Sequence, residues 1–251
     1  MAPLSKYVKK YQVSVNDADF TKKLKLSAAF NYFQEIASLH ADNLGIGFNE
    51  IGPKYNVTWV LTRMKVEILK YPIWDQEIVV ETWPQIPKRF HFERDFYIKD
   101  LNNNILVKAT SMWVLIDINT RELRSSDIIA INYPEIITER AIESNLGKIR
   151  PTGEKELIYK RIIGCSDIDM NEHLNNSKYV DFIMDCFSMD TLRKYHPCSI
   201  QVNYVNESLA GDEISLYKYV DNTETGKVYV EGVDEKTNSQ KFISEIVIQK
   251  L

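Results

Sequence analysis

Cysteine is scarce in this chain of 251 residues, and long apolar segments are absent. The three cysteines, Cys165, Cys186 and Cys198, are an odd number without CxxC spacing, so neither a disulfide framework nor a cysteine zinc site is indicated. No run approaches the roughly 18 apolar residues of a spanning helix, and the N-terminal MAPLSKYVKKYQV lacks the apolar core of a signal peptide. We therefore expect a protein of a reducing cytosol, without membrane insertion.

The sequence also lacks an excess of basic residues. Its 31 Lys and Arg and 35 Asp and Glu give a formal net charge of −4, which provides no global attraction for nucleic acid or for anionic membranes. Hydrophobic residues make up 44% and charged residues 26%, as in ordinary globular proteins. We therefore expect no nucleic-acid partner, and an acidic protein partner has to bind a local basic patch.

What the sequence does contain is a pattern of secondary structure that occurs twice. In the first half, the periodicities predict a helix at 27–43, N-capped by Ser27, and strands at 7–15, 56–69, 76–84, 90–99 and 104–117. In the second half they predict a helix at 176–190 and strands at 157–163, 198–206, 213–221, 227–233 and 241–250. Residues 64–80 lie over residues 200–216 without a gap, at an offset of 136 (200 − 64), which indicates an internal duplication.

The second predicted helix is apolar nearly all round, which is typical of a buried helix. Tyr179, Phe182 and Ile183 belong to one apolar face, while Val180 and Phe187 belong to another. A buried helix followed by strands with short connections predicts an antiparallel sheet wrapped around that helix. The predicted fold class is therefore α+β, a double (tandem) hot-dog in which each half is an antiparallel sheet wrapped around a long central helix. We place the halves at 1–125 and 154–251, joined by a linker at 126–153.

The stretch SDIDMNEHLNN at 166–176 concentrates polar side chains in front of this buried helix. If the backbone is locally extended, Asp169, Asn171 and His173 alternate along it and project to one side. They supply a carboxylate, an amide that donates and accepts hydrogen bonds, and an imidazole that titrates near neutrality. The helix N-terminus beside them favours a polarised carbonyl or an oxyanion. This combination predicts a catalytic site at the start of the second helix.

Two other roles for this stretch follow from the same residue types. Asp and Asn favour caps and turns, and we expect that role for Asp167, Asn175 and Asn176, with Asn175 or Asn176 as the N-cap. A metal site is not expected, because one histidine lies in the stretch and the others show no ligand spacing: His40, His91 and His196.

The segment DIDMNEHLNNSKYVDFIMD at 167–185 resembles the D-x-N-x-H-V-N-N-x-x-Y segment of the fatty acyl-ACP thioesterases, plant-type and bacterial. The first half is similar to that family too, in WVLTRMKVEILKYPIWDQEIVVETWP, RDFYIKD, ATSMWVLID and the arginines Arg121 and Arg124. The resemblance extends from about Tyr7 to Glu245. It implies a tandem hot-dog fold and hydrolysis of the thioester that joins a fatty acyl chain to the phosphopantetheine of acyl carrier protein. It implies no bound cofactor or metal ion, because a thioester is already an activated acyl group.

The family's remaining catalytic carboxylate follows the helix in a Y-R-R-E-C-like segment, which here is YVNES at 204–208. The resemblance therefore gives Glu207, 34 residues after His173 (207 − 173), the role of general base on a water or, less favoured, of nucleophile. Ser208 stands where many members have cysteine, so a cysteine nucleophile is excluded at that position. Asn171 and backbone N–H groups would hold the carbonyl oxygen, while His173 moves protons and Asp169 orients either of them.

The acyl chain needs an apolar slot, which we expect in the first half, between its helix and the strand at 56–69. We expect the slot to be lined by Trp59, Leu61 and Met64. Each of these residue types is more often part of an ordinary hydrophobic core than of a pocket wall. Further substrate contacts are expected from three residues beside the catalytic ones: Asn175, Asn176 and Ser208. Acyl carrier protein is acidic, so a basic docking site is expected among Lys22, Lys23, Lys25, Lys148, Arg150, Lys160 and Arg161.

Two other activities are compatible with the sequence. The substrate could be acyl-CoA, since hot-dog proteins include acyl-CoA thioesterases, or the chain could be a non-catalytic acyl-binding module. The intact set of Asp169, Asn171, His173 and Glu207 argues against the binding module. The absence of a plastid-type leader favours a bacterial cytoplasmic protein. A homodimer is neither required nor excluded, because two hot-dog halves can pair within one chain.

Overall fold

The computed structural model describes residues 2–129, 131, 133–220 and 226–250, which form two compact units. The first unit comprises Met1–Lys25 and Asn31–Asn145, and the second comprises Leu26–Phe30 and Leu146–Leu251. The domain boundaries at 125 and 153 stay a prediction, and in the structure the segment up to Asn145 groups with the first unit. Asp221, predicted as the last residue of a strand, lies outside the described residues.

The sheet of the first unit consists of five antiparallel strands in the order β1-β3-β4-β5-β2. The strands are β1 (Tyr7–Gln12), β2 (Val57–Ile68), β3 (Glu77–Pro84), β4 (Phe92–Lys99) and β5 (Ile105–Asp117), and the two-residue β6 (Leu123–Arg124) pairs with β5. The helices are α2 (Phe48–Tyr55) and α1 (Leu26–Asn43), of which the part from Asn31 onward belongs to this unit. On α1, Phe33 is fully buried and its ring lies 5.0 Å from that of Phe96 on β4, so this helix covers one face of the sheet.

The second unit repeats this arrangement. Its strands are β7 (Glu154–Ile162), β8 (Tyr195–Tyr204), β9 (Glu213–Val220), β10 (Lys227–Asp234) and β11 (Ser239–Lys250), in the antiparallel order β7-β9-β10-β11-β8. Its helices are α3 (Asn176–Met184) and α4 (Met189–Lys194). Tyr179 on α3 packs against Tyr204 and Phe242 of the sheet at ring distances of 5.5 and 5.3 Å. The two units therefore have the same strand order, and the predicted α+β hot-dog fold is confirmed in both.

The helix boundaries differ from the predictions at three places. Ser27 is not the N-cap of α1, because the helix begins at Leu26 and the extended residue before it is Lys25, which makes no side-chain cap. The helix predicted at 176–190 ends at Met184, and a new helix starts after Ser188, whose hydroxyl accepts the N–H of Thr191. The third difference is α2, whose sequence FNEIGPKY contains the helix-disfavouring Gly and Pro and was not predicted.

The segment predicted as a linker packs on the first unit up to Asn145. The indole of Trp83 donates to the carbonyl of Glu139 at 2.9 Å, and Trp83 and Tyr97 pack against Ala141 and Ile142. These contacts hold the segment against the outer face of β3 and β4. Within the described parts of the chain, no helix combines the length and apolar character needed to cross a bilayer.

A buried histidine and a buried arginine bridge α1 to the sheet of the first unit. Arg94 Nη1 lies 2.8 Å from His40 Nδ1. Because a guanidinium only donates, His40 Nδ1 accepts, and the ring proton lies on Nε2, which donates to the carbonyl of Leu4 at 2.7 Å. Burial, assisted by the Arg94 charge, lowers the pKa of His40 from 6.5 to about 4. The imidazole is therefore neutral at pH 7.

This neutral histidine makes the stability of the protein depend on pH. Below pH 6.5 the unfolded chain binds a proton at this residue that the folded chain does not accept until about pH 4, so stability is complete above pH 6.5 and falls towards pH 4. Between pH 6.5 and pH 4 the His40 effect should lower the free energy of unfolding of the wild type by about 3 kcal/mol. His40→Gln keeps a donor and an acceptor but does not titrate, so we expect this decrease to be absent in the variant. Urea unfolding of both proteins between pH 7 and pH 4 measures the difference. His91→Gln, at an exposed histidine, is the matched control, and equal pH slopes for wild type and His40→Gln would contradict the assignment.

Candidate active site

The loop before α3 is a tight turn rather than an extended segment. Ile168 and Leu174 form an isolated bridge, and the Asp169 N–H donates to the carbonyl of His173 at 2.8 Å. The premise that Asp169, Asn171 and His173 alternate along an extended backbone is therefore wrong. The physical reason is the Asp169 carboxylate, which accepts the N–H of Asn171 at 2.8 Å and stabilises the reversal. Asn171 consequently lies exposed at the tip of the loop.

Asp167 fixes the base of this loop. Its side chain is buried, Arg161 Nη2 lies 3.2 Å from both carboxylate oxygens, and the N–H of Gly164 donates to Oδ2 at 3.1 Å. Its carbonyl accepts the N–H of Asn175 at 3.0 Å. These contacts support the structural role expected for Asp167.

Asn175 is the N-cap of α3. Its Oδ1 accepts the N–H and the hydroxyl of Ser177, both at 2.9 Å, and its carbonyl accepts the N–H of Lys178. Asn176 is the first helical residue, and its carbonyl accepts the hydroxyl of Tyr204 at 3.1 Å. The amide oxygen of Asn175 is thus committed to the helix start, whereas its contact to substrate stays a prediction.

The structure brings His173 and Glu207 together. The N–H of Leu174 donates to the carbonyl of Ser208 at 2.8 Å, which holds the loop beside the segment that follows β8. His173 Nε2 then lies 3.3 Å from Glu207 Oε2, with the two side chains 30% and 40% exposed. The Lys241 ammonium donates to the carbonyl of Glu207 at 2.9 Å and fixes the backbone there. A carboxylate and an imidazole in contact, both open to solvent, can exchange a proton with a bound water or substrate.

Behind this pair lies a buried tyrosine, Tyr179, that the sequence analysis does not predict as a site residue. The Tyr179 hydroxyl donates to Ser208 Oγ at 3.1 Å, and Ser208 is fully buried. Burial, assisted by the nearby Glu207, Asp212 and Asp169 carboxylates and opposed by the hydrogen bond to Ser208, raises the pKa of Tyr179 to about 12, so it stays protonated. The sequence does contain a signal for this residue, because Tyr179 matches the final tyrosine of the D-x-N-x-H-V-N-N-x-x-Y segment.

The first unit contains the same loop without the acid–base pair. At an offset of 150 (169 − 19), the N–H of Asp19 donates to the carbonyl of Lys23 at 2.8 Å, and the N–H of Leu24 donates to the carbonyl of Pro72 at 2.9 Å. The positions of His173 and Glu207 are occupied by Lys23 and Tyr71, with the ammonium 5.3 Å from the ring centre. The backbone scaffold is therefore duplicated, whereas the histidine–glutamate contact is present in the second copy.

The residues predicted to line the acyl slot are separated in the structure. Trp59 lines an apolar cavity in the first unit, partly open to solvent, where its indole donates to the carbonyl of Ile46 at 2.9 Å. Leu61 and Met64 are buried core residues outside the cavity lining. Among the described residues, no three histidine, cysteine or acidic side chains are arranged to hold a metal ion.

The predicted docking lysines and arginines differ in their contacts. Lys160 Nζ lies 3.7 Å from a carboxylate oxygen of Glu213, and Arg161 Nη2 lies 3.2 Å from one of Asp167. The positive charges of Lys160 and Arg161 are therefore largely compensated. The ammonium of Lys22 lies 5.6 Å from the ring centre of Trp74, whereas Lys23 contacts Tyr71 as described above. Three further candidates are exposed: Lys25, Lys148 and Arg150.

Comparison with known families gives matches to both halves of the chain. A family model described as the acyl-ACP thioesterase N-terminal domain matches residues 4–131, and one described as the C-terminal domain matches residues 153–249. Curated relatives include the chloroplastic oleoyl-acyl carrier protein thioesterase 2 of Arabidopsis thaliana, 29% identical over 82% of this chain, and a chloroplastic palmitoyl-acyl carrier protein thioesterase of Cuphea hookeriana, 28% identical over 80%. This chain covers 59% and 50% of their lengths.

Solved structures with the same fold cover nearly the whole chain. An acyl-ACP thioesterase from Bacteroides thetaiotaomicron superposes with a TM-score of 0.87 at 24% identity over 98% of both chains. The 12:0-ACP thioesterase from Umbellularia californica gives a TM-score of 0.86 at 21% identity, over 98% of this chain and 94% of the other. At these identities the likeness supports the fold alone.

Removal of the N-cap should loosen the start of α3. We expect Asn175→Ala to lower the free energy of unfolding by about 1 kcal/mol, because the N–H of Ser177 loses its acceptor. Asn175→Asp retains an acceptor in the same place and should stay near wild-type stability. Urea unfolding of the three proteins measures the effect, and an Ala variant as stable as the Asp variant would show that the cap is unimportant.

Proposed function

This chain belongs to the acyl-ACP thioesterase family, and from that premise we propose that it hydrolyses fatty acyl thioesters of acyl carrier protein to free fatty acid and holo-carrier. The observation that carries the proposal is the contact of His173 Nε2 with Glu207 Oε2 at 3.3 Å, on a loop at the start of a buried helix. The names of the curated relatives support the same reaction.

In the proposed reaction Glu207 acts as general base. It removes a proton from a water whose oxygen attacks the thioester carbon, and the carbonyl oxygen takes up negative charge. Collapse of this intermediate breaks the C–S bond, and the thiolate leaves with the proton that Glu207 held, passed on through His173. A proton relay between the two side chains is supported by their contact and their partial exposure.

We assign the contact to the developing oxyanion to the side chain of Asn171. The N–H groups of Ser177 and Lys178 are already bonded to Asn175, so these two donors are occupied in α3. Asn171 lies exposed at the loop tip and carries an amide donor. Asp169 positions it by accepting its backbone N–H, and the positive end of the helix dipole adds to the stabilisation. Asp169 is thus a positioning residue in this scheme.

For the acyl chain we propose the cavity of the first unit. Its walls are mainly apolar, and Trp59 contributes from β2 with its ring 4.7 Å from that of Phe92. Leu61 and Met64 support this wall from the core rather than contacting the chain. Ser208 likewise acts from beneath the site, by bonding Tyr179.

The carrier, the location and the oligomeric state stay predictions. An acidic carrier protein is the proposed partner, and the exposed basic candidates for its docking are Lys22, Lys25, Lys148 and Arg150. A bacterial cytoplasmic location is proposed from the sequence, whereas the curated relatives are named as chloroplastic proteins.

The central test compares two carboxylates of the same region. We expect Glu207→Gln to lower kcat/KM on acyl-ACP by about 10²–10⁴, because a general base is lost. Glu172→Gln changes an exposed carboxylate on the same loop and should retain full activity. Free-thiol release from acyl-ACP and from the matching acyl-CoA measures both variants and identifies the carrier. A folded Glu207→Gln enzyme with wild-type turnover would exclude this mechanism, and no release by the wild type would favour a binding module.

A second test addresses the oxyanion donor. Asn171→Ala should lower kcat by about 10²–10³ with little change in KM, since the interaction is made in the transition state. The exposed neighbour Met170→Ala is the control at the same loop tip. A rise in KM without a fall in kcat would instead assign Asn171 to ground-state binding.

A further inference from the structure

The cavity of the first unit has one polar end. Most of its lining is apolar and comes from α1, β2, β4 and β5, including Ala41, Trp59, Phe92 and Trp113. The polar residues of the lining are Ser38, Glu93, Arg94 and Tyr133. An apolar cavity with a few converging polar groups is the usual form of a small-molecule site.

Arg94 is a buried cation without an anionic partner among the described residues. It is 8% exposed, and its side-chain hydrogen-bond partners there are His40 Nδ1 at 2.8 Å and Thr82 Oγ1 at 3.3 Å, both neutral groups. Burial lowers the pKa of Arg94 to about 10, so the guanidinium remains charged at pH 7. Two bonds leave several of its five N–H donors for a ligand.

The carboxylates beside Arg94 in sequence do not compensate its charge. Glu93 pairs with Lys88 at 2.7 Å and with Arg140 at 2.8 Å, and Arg140 also pairs with Asp95 at 2.9 Å. Glu93 also lines the cavity, but its carboxylate is paired with these two cations. Successive side chains of a strand point to opposite faces, so Asp95 lies, like Glu93, on the other side of β4 from Arg94, which bonds His40 of α1. Two carboxylates thus meet two cations on one face, and one positive charge remains on the other.

Tyr133 adds a neutral donor beside this charge. Burial raises the pKa of Tyr133 to about 12, against the opposing effect of the Arg94 cation, so its hydroxyl keeps its proton. The polar end of the cavity therefore carries a guanidinium and a phenol, which both donate hydrogen bonds to oxygen.

We propose that this cavity binds a free fatty carboxylate, with its oxygens on Arg94 and Tyr133 and its alkyl chain along the apolar wall. A buried cation without a counter-charge is costly, and an anionic ligand removes that cost while the chain fills the apolar space. The proposed function enters only in identifying this ligand as the product of the reaction. Product bound in this way competes with the incoming acyl chain and slows turnover.

The experiment measures binding alone, with no thioester present. Dodecanoate and dodecanol have the same chain length and differ at the polar end, and the fluorescence of Trp59 and Trp113 in the cavity wall reports binding of either. We expect the ratio of the dodecanol Kd to the dodecanoate Kd to be about ten or more for the wild type, because hydrogen bonds to a charged group contribute free energy of that size. Arg94→Gln should bring this ratio close to one while dodecanol still binds.

Control variants distinguish the effect of the Arg94 charge from a general change in charge or folding. Arg89→Gln neutralises an exposed arginine of the same unit and should leave the ratio unchanged. If Arg94→Gln fails to fold, Arg94→Lys and Tyr133→Phe each test the ratio in a milder form, and each should reduce it. Equal affinity of the wild type for both ligands, or an unchanged ratio in the folded Arg94 variants, overturns the inference. An enzyme that hydrolyses acyl-ACP but does not bind dodecanoate contradicts this inference alone, whereas dodecanoate binding without hydrolysis contradicts only the proposed function.

Discussion

One backbone hydrogen bond, from the N–H of Leu174 to the carbonyl of Ser208, determines whether the candidate site exists. It joins the loop before α3 to the segment after β8, and two of the four catalytic candidates lie next to its ends: His173 precedes the donor and Glu207 precedes the acceptor. The first unit makes the equivalent bond from Leu24 to Pro72. Because a backbone bond does not depend on side-chain identity, it persists in both copies although the side chains beside it have changed.

The two copies consequently share the backbone contacts of the loop but differ in the side chains beside them. Lys23 and Tyr71 offer a cation and a phenol where the second copy offers an imidazole and a carboxylate. The first copy therefore lacks the imidazole–carboxylate contact. The first unit has instead an apolar cavity and a buried charge, which suit ligand binding.

The fold could be predicted from the sequence to a large extent, because period-two alternation and one buried helix per half are local signals. The exceptions have local explanations. The helix at Phe48–Tyr55 forms despite Gly52 and Pro53, since burial of Ile51 outweighs weak propensity. The alternating polar residues at 168–174 are compatible with an extended segment but also favour Asx turns, and the structure has the turn. The contact between His173 and Glu207 was reached through the family resemblance, whereas the bridge from His40 to Arg94 spans 54 residues and leaves no local signal.

The duplicated loop has an evolutionary consequence. In a dimer of identical hot-dog subunits, every substitution appears twice, so a residue that widens a binding cavity also alters the subunit that must catalyse. A tandem chain removes this coupling, because each copy is encoded separately and can drift on its own. Lys23 and Tyr71 illustrate this independence: the first copy keeps the backbone contact of the loop but has these side chains where the second copy has His173 and Glu207.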